Sequence, residues 1–242
     1  MSALTSRGGH GKKKIDPDKR LWRTSLDVLA WVQRAYVCIF DLDAAAVPSS
    51  TVAPRFFCPV PPLGPCRRKV CVVCKARTAG RRLLEWRGAL YCLDCGRRSF
   101  GATWDALAPG SWPTRAGFGP EERIVIWANP PWGTHSETTP GTSAWIDRCV
   151  TEYASPQVSL GFILVPAAID TRWWWNAARA AVRVHELGRI AYRRPDGSVG
   201  PSPPQSSTLF VYGADAEARA ARLPVSDRVV VHHTRITPES AP

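Results

Sequence analysis

The segment that decides the fold reads IVIWANPPW and spans residues 124–132. Its first four residues form a continuous apolar run, which is typical of a strand buried on both faces of a parallel sheet. Asn129 and two prolines then end the run. Because open α/β sheets bind ligands beyond the carboxyl ends of their strands, we expect a functional site at Asn129–Trp132.

Strands and helices alternate along the chain on both sides of this segment. Apolar strands that alternate with helices predict an α/β fold, with a mostly parallel sheet covered on both faces. Two late strands around a proline-rich loop predict an antiparallel hairpin at the sheet edge. After Ala214 we expect a short alanine-rich helix and a last strand, Arg228–Val231, whose position in the sheet is not predicted. The other predicted elements are the strands Val37–Phe40, Leu160–Val165, Arg189–Arg193 and Thr208–Tyr212 and the helices Leu21–Tyr36 (capped by Thr24 or Ser25), Thr142–Ala154 and Thr171–Val184.

Length, composition and charge narrow the class of protein. The chain has 242 residues, 45% of them hydrophobic, which suits one domain with a small insertion and excludes wholesale disorder. Lysine and arginine number 32 against 20 aspartate and glutamate, a formal net charge of +12. Most of these cations are arginine, whose planar fork pairs with phosphate. The balance favours a polyanionic partner, with a GC-rich coding sequence as the alternative explanation.

The cellular compartment is predicted from two missing signals. No stretch reaches the roughly 18 apolar residues of a membrane helix. Residues 1–18, which we expect to form a flexible basic arm, have no apolar core of the kind that a secretory signal needs. We therefore expect a cytoplasmic protein, in which disulfides are disfavoured and the eight cysteines need another explanation.

Four cysteines have the spacing of a zinc site. Two residues separate Cys71 from Cys74, and Cys92 and Cys95 repeat this spacing after a further 17 residues. The pattern is typical of a zinc ribbon, in which two thiolate pairs bind one structural Zn2+ and the chain between them forms a hairpin. Ten basic residues over 67–98 favour nucleic-acid contact by this module. The remaining cysteines are Cys58 and Cys66, which could replace a ligand or stay free, and Cys38 and Cys149, which we expect in the core.

The tetrapeptide at residues 129–132 suits one kind of chemistry. The side-chain oxygen of Asn129 and the carbonyl of Pro130 can accept both hydrogens of an exocyclic amine, which favours attack of its nitrogen on an electrophilic carbon. Pro131 makes the turn rigid. Trp132 offers a flat surface to a base that has left the helical stack. The alternative is a simple strand-ending turn with a packed tryptophan.

Several landmarks, in this order along the chain, resemble the phage-type DNA N6-adenine methyltransferases. The tetrapeptide is similar to the asparagine-proline-proline-aromatic motif of that family. The resemblance extends over about residues 21–212, apart from the cysteine segment. The landmarks are WRTS at 22–25 (where serine replaces the family's proline), FDLDAAA at 40–46, FF at 56–57, DAL with a later tryptophan at 105–112, LVPA at 164–167, TRW at 171–173 and GRI at 188–190.

The resemblance implies a Rossmann-like S-adenosylmethionine-dependent methyltransferase fold and a site-specific DNA methyltransferase that modifies N6 of adenine in double-stranded DNA of a bacterial or phage-infected cell. The cofactor would be S-adenosyl-L-methionine. The segment after Asp43 lacks the glycine-rich turn of many methyltransferases, so Asp43 could instead cap a helix. The implied cofactor residues are Trp22, Thr24, Asp43 (or Asp41 in its place) and Asn129, and the implied catalytic residues are Asn129, Pro130, Pro131 and Trp132.

The implied organisation has four parts. They are a basic arm (1–18), a methyltransferase domain (19–57 and 102–213), a zinc-ribbon insertion (58–101) and a C-terminal extension (214–242). Two other functions stay open: methylation of cytosine N4 or of adenine in RNA, and zinc-dependent nucleic-acid binding without catalysis. In addition, three consecutive tryptophans at 173–175 cannot all face one core, so we expect at least one to be partly exposed.

Overall fold

The structure, a computed structural model, has helices on both faces of an open sheet. None of the helices in its described part is long and apolar enough to cross a membrane. The residues that the structure describes are 23–46, 51–58, 83–86, 89–92, 102–104, 106–133, 140–194, 197–200, 203–222 and 230–232.

Helices and strands alternate strictly over residues 112–186, whereas only strands are described between residues 42 and 104. The helices are α1 (Leu26–Tyr36), α2 (Trp112–Arg115), α3 (Thr142–Tyr153), α4 (Arg172–Ala180) and α5 (Ala216–Ala220). The strands are β1 (Leu42–Asp43), β2 (Arg55–Cys58), β3 (Leu83–Trp86), β4 (Ala89–Cys92), β5 (Ala102–Trp104), β6 (Ile124–Ala128), β7 (Val158–Pro166), β8 (Arg183–Glu186), β9 (Ser207–Tyr212) and β10 (Val230–His232).

The main sheet has the strand order β10-β8-β9-β7-β6-β1-β2-β5. All neighbours from β5 to β7 are parallel, whereas β9 runs antiparallel to both β7 and β8, and β10 antiparallel to β8. Six of these strands, β2-β1-β6-β7-β9-β8, follow the order 2-1-3-4-6-5 when numbered among themselves along the chain. The predicted α/β class, mostly parallel with an antiparallel edge, is confirmed, and the order is consistent with a Rossmann-like methyltransferase fold.

The burial of strand β6 shows that both faces of the sheet are covered. All five of its residues are buried, and successive side chains point to opposite faces. Ile124 and Ile126 pack in the core beneath α3 and α4, while Val125 and Trp127 pack in a second core beneath α1 and α5. The continuous apolar run therefore reflects two cores. Cys149 is buried in the first, as predicted, whereas Cys38 is half-buried at the edge of the second.

Helix α1 begins and ends at identifiable signals. The Ser25 hydroxyl accepts a hydrogen bond from the Asp27 backbone N–H, so Ser25 is the cap. The last helical residue is Tyr36, and the backbone of Val37, which follows it, has the left-handed conformation with a φ of 46°. Because this turn redirects the chain and leaves Ile39 76% exposed, the predicted strand Val37–Phe40 is wrong. The strand forms instead at Leu42–Asp43, between β2 and β6.

The edge of the sheet differs from the prediction in its pairing. The helix predicted to reach Val184 ends at Ala180, and strand β8 follows. Strand β9 pairs with β7 and β8, so the predicted partner Arg189–Arg193 is wrong. Strand β8 lies in the sheet between β9 and β10, and His185 is buried there, with its Nε2 2.6 Å from the Tyr36 hydroxyl oxygen of α1. The strand predicted at Arg228–Val231 corresponds to β10, and its position in the sheet, which was not predicted, is beside β8.

The segment between β2 and β5 contains a separate two-stranded sheet. Strands β3 and β4 are antiparallel, with Leu83 opposite Cys92, which confirms the hairpin expected between the two cysteine pairs. Cys92 ends β4. The predicted zinc ligands Cys71, Cys74 and Cys95, like the whole predicted basic arm (1–18) and most of the insertion, lie outside the described residues.

Candidate functional site

A cavity of about 220 Å³ lies at the carboxyl ends of β1 and β6. These strands are parallel neighbours, with Asp43 opposite Trp127. The chain continues from β1 to one side of the sheet, through β2, and from β6 to the other side, through β7. Connections that leave in opposite directions open a crevice at this point, where α/β proteins bind ligands. Residues that line the cavity include Arg23, Thr24, Asp43, Trp127, Asn129 and Arg193.

Thr24, which precedes helix α1, holds the side chain of Asn129 in the cavity. The Asn129 Nδ2 donates to the Thr24 Oγ1 at 2.9 Å. Thr24 is only 6% exposed, so this contact is shielded from water. With Nδ2 engaged, the Asn129 Oδ1 is the atom that remains to accept from a ligand. The Pro130 carbonyl, directly beyond it, accepts no backbone hydrogen bond from the described residues.

Asp43 brings a buried carboxyl group to the other side of the cavity. Its Oδ1 accepts from the Ala45 backbone N–H at 3.2 Å and its Oδ2 from the Val52 backbone N–H at 3.1 Å. Burial nevertheless raises the pKa of the Asp43 carboxyl to about 7, with these two hydrogen bonds opposing the shift. Asp43 is thus poised to change charge near neutral pH when a ligand with donor groups binds.

A short hairpin closes one wall of the cavity. The Arg194 backbone N–H donates to the Ser198 carbonyl at 2.8 Å, and Gly197, with a φ of +86°, sits in the turn between them. The hairpin is joined to the chain ahead of α1 by two reciprocal backbone hydrogen bonds between Arg23 and Arg193, of 2.8 and 2.9 Å. This pairing places Thr24 beside Asn129.

Trp132 lies next to the same hairpin. Its ring is half-buried and meets Tyr192 edge to face, with the ring centroids 5.0 Å apart. The Trp132 Nε1 is buried and finds no acceptor among the described residues. A buried indole N–H without an acceptor is unfavourable.

The structure brings together Thr24, Asp43 and Asn129 of the predicted site. Asp41 stands apart from them, because it lies at the opposite end of β1 and its Oδ2 accepts from the Val125 backbone N–H at 2.8 Å. Trp22 lies outside the described residues. Pro130 is buried and Pro131 half-buried, as a rigid strand-ending turn requires. Of the three consecutive tryptophans, Trp175 is 41% exposed, which confirms the expected exposure.

Both arginines of the cavity lining, Arg23 and Arg193, were not predicted as site residues from the sequence. Arg23 stands between Trp22 and Thr24 in the WRTS landmark, at a position where the family pattern prescribes no residue type. Arg193 lies far along the chain and reaches the cavity through the hairpin. The position of Arg23 beside Thr24 could have drawn attention to it, but no local pattern singles out Arg193.

Comparison with known proteins adds no family to this description. No protein-family model matches the chain, and no curated protein matches it. The geometry of the cavity and the strand order are the basis of the functional argument.

Proposed function

We propose that this chain is an S-adenosylmethionine-dependent methyltransferase that acts on N6 of adenine in double-stranded DNA. The observation that carries the proposal is the meeting of Thr24, Asp43 and Asn129 in one cavity. They belong to three separate landmarks of the resemblance and meet at the switch point of a sheet that is consistent with a Rossmann-like methyltransferase fold. The formal net charge of +12 favours a polyanionic substrate.

Asn129 and Pro130 would act on the amine of the target base. The lone pair of an aromatic amine is delocalised into its ring, which makes the nitrogen a poor nucleophile. Acceptance of its two hydrogens by the Asn129 Oδ1 and the Pro130 carbonyl favours a tetrahedral nitrogen with a localised lone pair. Thr24 holds the Asn129 amide so that its oxygen is available for this task.

The cavity offers groups that fit the implied cofactor. Asp43 would accept hydrogen bonds from its polar donors, and the buried Trp127 and Leu29 supply apolar wall. When bound, S-adenosylmethionine would supply a methyl group: the carbon–sulfur bond would break with both electrons staying on sulfur, the amine nitrogen would bond to the carbon, and the amine proton would pass to solvent. Trp132 would stack on the flipped base and direct its amine toward Asn129.

The direct test uses purified protein, methyl-labelled S-adenosylmethionine and matched nucleic acids. We expect label in duplex DNA. Label in RNA alone would support the RNA alternative. Tight DNA binding without cofactor binding or label would support the non-catalytic alternative and contradict the proposal.

Cofactor affinity should depend on pH through Asp43. In the free protein the pKa of this carboxyl is about 7, and its ionised form is the better hydrogen-bond acceptor. We therefore expect the affinity for S-adenosylhomocysteine to be full above pH 8 and to fall as pH drops through 7, approaching about tenfold per pH unit. Calorimetry from pH 5.5 to 8.5 measures this, and Asp43→Asn should flatten the profile. An unchanged affinity between pH 8 and 6 would exclude Asp43 as a ligand.

We further propose that Cys71, Cys74, Cys92 and Cys95 hold one structural Zn2+. The antiparallel β3–β4 hairpin between the two pairs supports this assignment. Elemental analysis should find one zinc per chain, and Cys71→Ser should lower the content and destabilise the insertion. Cys38→Ser, which alters a half-buried cysteine beside α1, is the control and should retain zinc. Metal-free protein with all eight thiols titratable would refute the assignment.

A further inference from the structure

Two arginines share one wall of the cavity. The backbone N–H of Arg23 donates to the Arg193 carbonyl at 2.8 Å, and the backbone N–H of Arg193 donates to the Arg23 carbonyl at 2.9 Å. Residues that exchange both hydrogen bonds lie directly opposite each other in an antiparallel pair, and their side chains leave the same face. Both guanidinium groups therefore start from neighbouring positions, and both residues line the cavity with Asn129.

Neither arginine forms an ion pair with a carboxylate of the described residues. In the described part of the chain the ion pairs are Arg123–Asp215, Arg148–Glu152 and Arg219–Asp215. Asp43 lines the same cavity, but its two oxygens accept from backbone N–H groups.

The Arg23 side chain also contains an unsatisfied donor. Its Nε is buried and has no acceptor among the described residues. A buried donor on a cation is costly when it lacks a partner, and an oxyanion would satisfy it. The pair therefore has the charge, the donors and the place of a ligand site.

We infer that Arg23 and Arg193 form an oxyanion site in the wall of the cavity, which binds a carboxylate or phosphate group. A guanidinium donates two parallel hydrogen bonds to either group. The oxyanion site itself does not depend on the proposed function, but the identity of the molecule that carries the anion does. That source is either the carboxylate of the cofactor's amino-acid part or a backbone phosphate next to the target base.

The test compares two charge-matched double variants. Arg23→Gln/Arg193→Gln removes the site, and Arg172→Gln/Arg179→Gln removes two exposed arginines of α4. The probes are S-adenosylhomocysteine, 5′-methylthioadenosine (which lacks the amino-acid part) and a duplex DNA titrated at several salt concentrations. If the glutamine variant folds poorly, Arg23→Lys/Arg193→Lys replaces it, because this variant keeps the charge but loses the paired hydrogen bonds of the guanidinium groups.

Each source of the anion gives its own result. If the site binds the cofactor carboxylate, its loss weakens S-adenosylhomocysteine about tenfold or more and leaves 5′-methylthioadenosine unchanged. If it binds phosphate, DNA affinity falls more than in the α4 control, and the salt slope decreases by about one for each arginine in contact with phosphate. The affinity for S-adenosylhomocysteine then stays unchanged.

Sulfate provides a probe that is independent of the proposed function. At matched ionic strength, sulfate should raise the melting temperature of the wild type and of the α4 control more than that of Arg23→Gln/Arg193→Gln. If the wild type bound neither S-adenosylhomocysteine nor DNA, the proposed function would fail, while the sulfate comparison would still decide the oxyanion site. Equal behaviour of both double variants with every probe would overturn the site.

Discussion

Asn129→Ala should lower the rate of methyl transfer to DNA by about a hundredfold to a thousandfold, the usual cost of removing one preorganised transition-state hydrogen bond. The alanine removes Oδ1, the atom that Thr24 leaves free to accept an amine hydrogen. Because that hydrogen bond strengthens only as the nitrogen becomes nucleophilic, the loss should fall on kcat. Single-turnover measurements with labelled cofactor report the chemical step directly.

Two further variants separate catalysis from folding. Asn176→Ala changes an exposed asparagine of α4 and should leave the rate unchanged. Asn129→Asp keeps an acceptor at the same position and should retain more activity than the alanine variant. Binding of S-adenosylhomocysteine by Asn129→Ala, even with a lower affinity, should show that the variant is folded. A methyl-transfer rate within threefold of the wild type would remove Asn129 from the mechanism.

Gly161→Ala should destabilise the fold by about 3 kcal/mol, at the upper end of the usual cost of overpacking a core. A Cβ at Gly161, in the middle of β7, would lie 2.5 Å from Cγ of Tyr153 in α3. The Tyr153 ring cannot swing away freely, because it is buried and its hydroxyl donates to the Phe162 carbonyl at 3.0 Å. The helix must therefore shift away from the sheet. Urea unfolding measures the loss of free energy.

Gly119→Ala is the matched control for this substitution. A Cβ at Gly119 would meet its nearest neighbour, an oxygen of the Glu122 side chain, at an ordinary 3.5 Å. We expect a change within about 0.5 kcal/mol, as for other surface substitutions. Equal unfolding free energies for the two variants would show that α3 does not rest on β7 through Tyr153.

The sheet could be predicted where burial on both faces leaves a continuous apolar run. Strands β6 and β7 have such runs because each lies between two cores. Strand β1 has only two residues, so its apolar neighbours at 37–40 had the stronger strand pattern, although they lie in irregular structure after the helix. Strand β8 reads Arg-Val-His-Glu, and the burial of His185 depends on a partner 149 residues away. No local pattern contains that information.

The candidate site could be predicted only in part, because some of its contacts join residues that are distant in sequence. Asn129 and Asp43 follow or end strands, so their place at the carboxyl edge follows from the fold. The contact of Asn129 with Thr24 joins residues 105 positions apart and depends on the Arg23–Arg193 pairing. Asp41 and Asp43 are two residues apart in sequence, and only the register of β1 against β6 decides which one faces the cavity.

We propose that N6 of adenine is the atom that receives the methyl group. The most direct measurement is nucleoside mass spectrometry of duplex DNA incubated with the purified protein and S-adenosylmethionine, with Asn129→Ala in parallel. We expect N6-methyldeoxyadenosine with the wild type and almost none with the variant. N4-methyldeoxycytidine in its place, no methylated nucleoside, or equal yields from both proteins would contradict it.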